Sequence, residues 1–251
     1  MKQHLFFFLM TLYSLSVVSQ NRIRSVEELI NRKDPGWVNV KKWIDSAKNK
    51  VEILQVDSVK SKDALYNTQV TSRSPMGAII LMTGGLLIDD GWIRILGSGS
   101  QKLPRSIPSW NKGKGFKEFI GEGTDFLLIA DDAIGGFFLT NGGGLREDIG
   151  KVYYLSPDNL EYEPLDMTYT DFLLFCFNND LEKFYEGYRW ENWRKEVSIM
   201  SGDNVFNVVP PLWTKEGRDF TKNSRKAIPI QEQYDFNLSM RKQLGLEKNV
   251  R

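Results

Sequence analysis

The longest apolar run comes first: Leu5 to Val18, fourteen residues behind a lone Lys2. Val17 and Ser19 then place small side chains at the −3 and −1 positions for cleavage before Gln20. This is the layout of a secretory signal peptide, and it is too short for a comfortable membrane span. No Cys follows the run, so a lipid anchor is not indicated. Beyond it the apolar positions fall into helical spacing. Ser25-Val26-Glu27-Glu28 has the capping-box pattern and opens a short helix to about Arg32. Asp34-Pro35 restarts a helix on which Trp37, Val40, Trp43, Ile44 and Ala47 form one face. Residues 51–56 alternate and predict a strand. Asp57 caps a helix through about Gln69, and Ser74-Pro75-Met76 begins another that Gly84-Gly85 ends.

The middle of the chain changes to a period of two. Residues 86–88, the turn Asp89-Asp90-Gly91 and residues 92–96 predict a hairpin. Residues 126–130, the turn Asp131 to Gly135 and residues 136–140 predict a second, and 151–155 with 160–165 a third. The strands at 126–130 and 136–140 are apolar on both faces and belong at the centre of a sheet. Between the first two hairpins lies a long connection, 97–123, rich in Gly and basic residues; connections of that length are functional or mobile. Apolar helices follow over Thr170 to Asn178, 180–187 and 189–200, then an extended connector at 209–213 and a last helix from Pro229 to Leu244. Helices, then a meander, then helices describe an α+β fold: a central antiparallel sheet of about five to six strands flanked by N- and C-terminal helices. The expected organisation is a signal peptide at 1–19 and a single domain at 20–251, helical from about 168.

Charge and composition narrow the function. Lys and Arg total 33 against 32 Asp and Glu, and loss of residues 1–19 removes one Lys, leaving a balanced chain. A balanced chain lacks the basic stripe of a nucleic-acid binder. No second apolar stretch reaches membrane length, so no stable span is expected after cleavage. The chain has one His, His4, inside the leader, and one Cys, Cys176, amid Leu and Phe. The mature chain therefore has no Ser-His-Asp or Cys-His centre, no histidine-held zinc or haem, and no intrachain disulfide. No phosphate loop stands between a strand and a helix, and no cofactor is expected. An exported protein, periplasmic or secreted, follows from the leader.

What chemistry remains lies in carboxylates, aromatic rings and arginines. Asp89-Asp90 and Asp131-Asp132 each end a Leu-Leu-Ile-containing strand. If those strands run the same way, four carboxylates gather at one end of the sheet. Crowded carboxylates can split into acid and base, or hold a hard cation such as Ca²⁺, with Asp131 and Asp132 the candidate ligands. Asp is also what a hairpin turn needs, and that explanation is the simpler one. Gly135-Gly136 could present backbone N–H groups to an anion or serve as a permissive turn. Arg105 and Trp110 in the long connection, with Trp92, are residue types that anchor binding surfaces. Candidate binding residues are thus Asp89, Asp90, Trp92, Arg105, Trp110, Asp131, Asp132, Gly135 and Gly136; no catalytic residue is assigned. The composition favours a binding or interaction module for a protein, small-molecule or glycan ligand. A carboxylate-dependent hydrolase of glycan type is the alternative, since such enzymes need only two acids beside a cleft.

Several segments resemble a bacterial domain-of-unknown-function family, number 2625. They are Thr71 to Ala78, Thr83 to Trp92, Ala130 to Gly142, Gly150 to Asn159, Tyr185 to Trp190 and Pro210 to Trp213. The resemblance spans about residues 25–245 and implies no activity, cofactor or site residue. The strand–Asp-Asp–Gly-Gly core, the Tyr153-Tyr154 strand and the helix at Asp171-Phe172-Leu173 are also similar, more weakly, to the SUKH superfamily of immunity and interaction domains. That likeness implies partner binding and a toxin-neutralising role, which the export signal opposes.

Overall fold

Leu86, Ile88, Ile93 and Ile95, with Leu128 and Phe138, are completely buried. Strands this apolar need cover on both faces, and the rest of the chain supplies it. The computed structural model describes residues 22–116, 124–145 and 148–246; the expected leader lies outside them. Among the described residues, seven strands form one sheet in chain order: β1 Val51–Ile53, β2 Gly85–Ile88, β3 Ile93–Leu96, β4 Phe126–Asp132, β5 Phe137–Asn141, β6 Lys151–Leu155 and β7 Tyr162–Thr168. Every neighbouring pair is antiparallel. The described residues also form nine α-helices: α1 Val26–Leu29, α2 Trp37–Asp45, α3 Ser58–Thr68, α4 Pro75–Met82, α5 Ile107–Asn111, α6 Tyr169–Asn178, α7 Leu181–Phe184, α8 Trp193–Ile199 and α9 Ile230–Gln243. Strands β8 Asn204–Val209 and β9 Ser224–Pro229 pair separately.

Register sorts the side chains onto two faces, because successive residues of a strand alternate. One cross-strand row is Ile53, Leu86, Ile95, Ala130 and Phe138; the adjacent row on the other face is Glu52, Leu87, Arg94, Asp131 and Phe137. Phe172 of α6 packs on Phe138, ring centroids 4.9 Å apart, and marks the face that α2, α4 and α6 cover. Trp110 of α5 and Tyr234 of α9 pack on Phe137 and mark the other.

The α+β expectation holds, and the local signals hold with it. Ser25 and Glu28 close a capping box, Asp57 caps α3, and Ser74 caps α4 with Pro75 as its first residue. Asp89, Asp90 and Gly91 take positive φ and make the β2–β3 turn. Four expectations are corrected. The sheet has seven strands rather than five or six. Of the helical forecast for 180–200, only Leu181–Phe184 and Trp193–Ile199 form. The connector at 209–213 begins as the last residue of β8, so the region after 168 is not purely helical. And Asp131 and Asp132 are the last two residues of β4, not turn residues; the turn follows them. The described part of the long connection is tied down as well. β3 pairs with β4 only at residues 130–132, and the Asn111 side chain completes the ladder earlier, bonding both the N–H and the C=O of Leu128 at 2.8 Å.

Candidate functional site

Two arginines converge on Asp131. Arg94 faces it from the next strand, Nε to Oδ1 at 2.6 Å, as an ion pair rather than an aligned hydrogen bond. Arg105 reaches its Oδ2 at 2.7 Å and also holds Asp203 at 3.0 Å and the Gly202 carbonyl at 2.7 Å. Arg94 donates further to the carbonyls of Asn204 and Asp132. The Arg105 guanidinium lies 4.7 Å from the centre of the Trp110 ring. Asp131 is fully buried, so two guanidiniums and one carboxylate sit in low dielectric with their partners supplied by backbone. Desolvation lowers the Arg94 pKa against the pull of Asp131. This cluster ties β3, β4, the long connection and the Gly202–Asn204 segment together.

Asp132 points to the opposite face and is equally buried. Its Oδ1 accepts the N–H groups of Ile134 (3.1 Å) and Gly136 (2.8 Å), and its Oδ2 the hydroxyls of Tyr154 (2.6 Å) and Tyr185 (3.2 Å). Burial raises its pKa above the ordinary carboxylate value even though all four partners are donors. The same burial, with Asp132 beside them, raises both tyrosines. Gly136 therefore gives its N–H to Asp132 rather than to an anion. A Cβ on Gly136 would lie 2.3 Å from the Tyr154 hydroxyl oxygen, and one on Gly135, at φ +84°, 2.7 Å from Gln233. Both glycines are required by close packing.

The β2–β3 turn builds a third cluster. Arg189 pairs with Asp89 and with Glu182, each at 2.8 Å, and its guanidinium lies 4.2 Å from the Trp193 ring centre and 4.8 Å from that of Trp92. Trp92 is fully buried among Tyr185, Trp190 and Trp193. Arg194 adds contacts to Asp89 and Asp90, and Lys50 pairs with Asp90. β2 and β4 do run the same way, but each acid pair has its own basic or phenolic partners. Among the described residues no group of three or more His, Cys, Asp or Glu could hold a metal ion. A cation at Asp131 or Asp132 would displace guanidiniums from the first or four donors from the second.

What stays open to solvent is the seam beside these clusters. A groove of about 450 Å³ runs between the β1–β3 end of the sheet and α8. Its floor carries Arg94 and Leu87, its rim Asp90 and Lys102, and its far wall Val197 and Ile199. A second hollow of about 580 Å³ continues between residues 52–57 and 99–102. Glu52, Gln101 and Lys102 line both, and Glu52 and Lys102 are ion-paired. Ile199 is 78% exposed. Arg105, Trp110, Asp131, Asp132, Trp92, Gly135 and Gly136 are buried and line neither hollow, and Asp89 is held by Arg189; only Asp90 of the sequence candidates lines the groove. Sequence reasoning missed Lys50, Glu52, Arg94, Lys102 and Ile199. Arg94 was findable: a lone cation at an inward position of Trp-Ile-Arg-Ile-Leu demands a buried partner.

The family model for protein of unknown function DUF2625 matches residues 26–233. An uncharacterized protein of Haemophilus influenzae is 39% identical over 228 residues, covering 91% of this chain and 100% of that protein. YbfG, an uncharacterized protein of Escherichia coli strain K12, is 40% identical over 219 residues, 87% of this chain and 98% of its own length. Matched by one family model over most of its length, and by two relatives along nearly all of theirs, this chain belongs to the DUF2625 family.

Proposed function

We propose that the chain is an exported binding module without catalytic machinery, and that its ligand lies in the groove between the sheet and α8. One observation carries this reading. The β2–β3 turn, residues 101–102 of the long connection and α8 meet around an open groove of about 450 Å³. Its rim charges are held in solvent-exposed pairs instead of being sealed like Arg94 and Asp131. Ile199 and Val197 add apolar surface beside those charges, the mixture from which interfaces are built. Export rests on the leader pattern and on a lone buried Cys176, whose thiol pKa burial raises. The hydrolase alternative drew on both acid-pair turns: Asp131 and Asp132 are buried and do not line the groove, and Asp90, which does, is held by Lys50 and Arg194, so the binding reading is preferred. A photo-cross-linking amino acid placed at Ile199 or Gln101 should trap one discrete partner in cells, while the same probe at exposed Lys226 of β9 traps none. Equal adducts from both places, or none at all, would remove the groove from consideration.

A further inference from the structure

We propose that the cavity between the β6–β7 turn and the α7–Tyr188 segment is a second site, which takes the head group of a small organic ammonium compound. It shares no lining residue with the groove above, so its fate is independent of that reading. The cavity holds about 150 Å³. At about 30 Å³ of liquid volume per water, that is room for roughly five heavy atoms, the size of a trimethylammonium group with its first methylene.

The lining has one chemical character. Tyr154, Phe184, Tyr185 and Tyr188 supply four aromatic rings, Asp158 and Glu163 supply two carboxylates, and no lining residue is basic. Arg218, an exposed side chain, acts on Tyr188 from outside the lining. The rings stand at angles to one another: Phe184 to Tyr185 at 85° with centroids 4.8 Å apart, and Tyr154 to Phe184 at 57° and 5.8 Å. Tyr154 is stacked on Phe138 with centroids 4.6 Å apart, and the Arg189 guanidinium, outside the lining, lies 5.4 Å from the Tyr185 ring centre, so one of these rings already meets a cation. Aromatic faces attract cations that have shed water. Tyr154 and Tyr185 both donate their hydroxyls to Asp132 on the buried side. That places a third carboxylate behind the floor and leaves the rings electron-rich. At the mouth, Asp158 accepts from Tyr188 at 2.7 Å and from Ser156, which fixes the Tyr188 ring at the rim. An anion would meet only carboxylates there. A neutral group of the same shape would forgo the cation–π attraction.

Calorimetric titration of the full mature protein with choline chloride, set against its uncharged carbon analogue 3,3-dimethylbutan-1-ol, tests this. Choline should bind saturably and at least about tenfold more tightly than the analogue, the order that one desolvated cation–π contact supplies. Tyr188→Phe should keep that affinity, and Tyr188→Leu should lose about tenfold or more. If Tyr188→Leu does not fold, Glu163→Gln at the rim replaces it and should weaken choline but not the analogue. Binding of choline without binding to phosphatidylcholine vesicles supports a free compound; binding to both supports a lipid head group. Equal affinity for choline and its analogue, no saturation by choline, or a Tyr188→Leu protein that is folded and binds as well as wild type would overturn the site.

Discussion

Asp131 shows how residue-scale chemistry inverts a local reading. In sequence it sits between Ala130 and Asp132, just before glycines, where an acid pair reads as a turn. In the fold it is the shared counter-ion of Arg94 and Arg105, one residing across the sheet and the other in the long connection. Those contacts are non-local, so nothing beside Asp131 in the chain announces them. Asp131→Asn should leave Arg94 buried without its ion-pair partner and Arg105 with Asp203 alone, and cost about 3–5 kcal/mol, read from urea unfolding midpoints. Adding Ca²⁺ should shift neither protein; a Ca²⁺-dependent rise in wild type alone would mean a cation has a place here. Asp132 answers to pH. Its pKa in the fold is raised, so between the unfolded value of about 4 and that raised value the folded state binds more proton than the unfolded chain. Stability from this group is therefore complete below about pH 4 and is lost as pH rises through the folded pKa, with a slope of up to about 1.4 kcal/mol per pH unit. Asp132→Asn removes that slope; Tyr154 and Tyr185, which Asp132 also raises, titrate well above this window. Wild-type stability measured relative to the variant should fall with rising pH in this window and then level off. A flat difference would show that the fold leaves this carboxyl at its ordinary pKa.

Elements were legible where their signals are local. Capping residues, the proline at the start of α4 and the positive-φ turn after β2 all act within a few residues, and the chain declares them. Ser74→Ala should remove the bond to the Gly77 N–H and cost about 1 kcal/mol. Gly77 gives the sharper test. In an open helix Ala is favoured over Gly by about 1 kcal/mol. Here a Cβ would stand 2.1 Å from the Thr71 carbonyl oxygen, a backbone atom with nowhere to move. Gly77→Ala should therefore destabilise, by about 1–3 kcal/mol, and a stabilised variant in thermal melts would mean α4 is not seated on residues 71–72. Elements were illegible where their partner is distant or their composition is polar. Ser224-Arg225-Lys226 carries no strand pattern of its own, and becomes part of β9 beside Val209, Val208 and Asn207 of β8. The segment around Trp190 has helical spacing, but Arg189 is committed to Asp89 and Trp190 packs on Trp92, so the helix starts at Trp193.

On the scale of the whole molecule, burial separates what builds the fold from what is free to meet a ligand. Apart from Asp90, the aromatic residues, arginine and acids that drew attention in the sequence are ones the fold buries or locks in ion pairs, since residue types that anchor interfaces also anchor cores. The open groove is formed by Lys50, Glu52, Asp90, Lys102 and Ile199, which are common surface residues and become a site only through the meander and the return of α8. The distinction can be measured. The Glu52–Lys102 pair has side chains 43% and 64% exposed, and exposed pairs contribute about 0–1 kcal/mol. Lys102→Glu should thus leave the unfolding midpoint nearly unchanged yet place two like charges between the two hollows, and cross-linking through Ile199 should fall severalfold. Combining it with Glu52→Lys restores opposite charges in reversed positions. If the ligand reads the groove's charge pattern, the double variant should be as stable as wild type and still fail to capture the partner. If capture returns with the ion pair, the pair shapes the groove and its polarity is not what the ligand recognises.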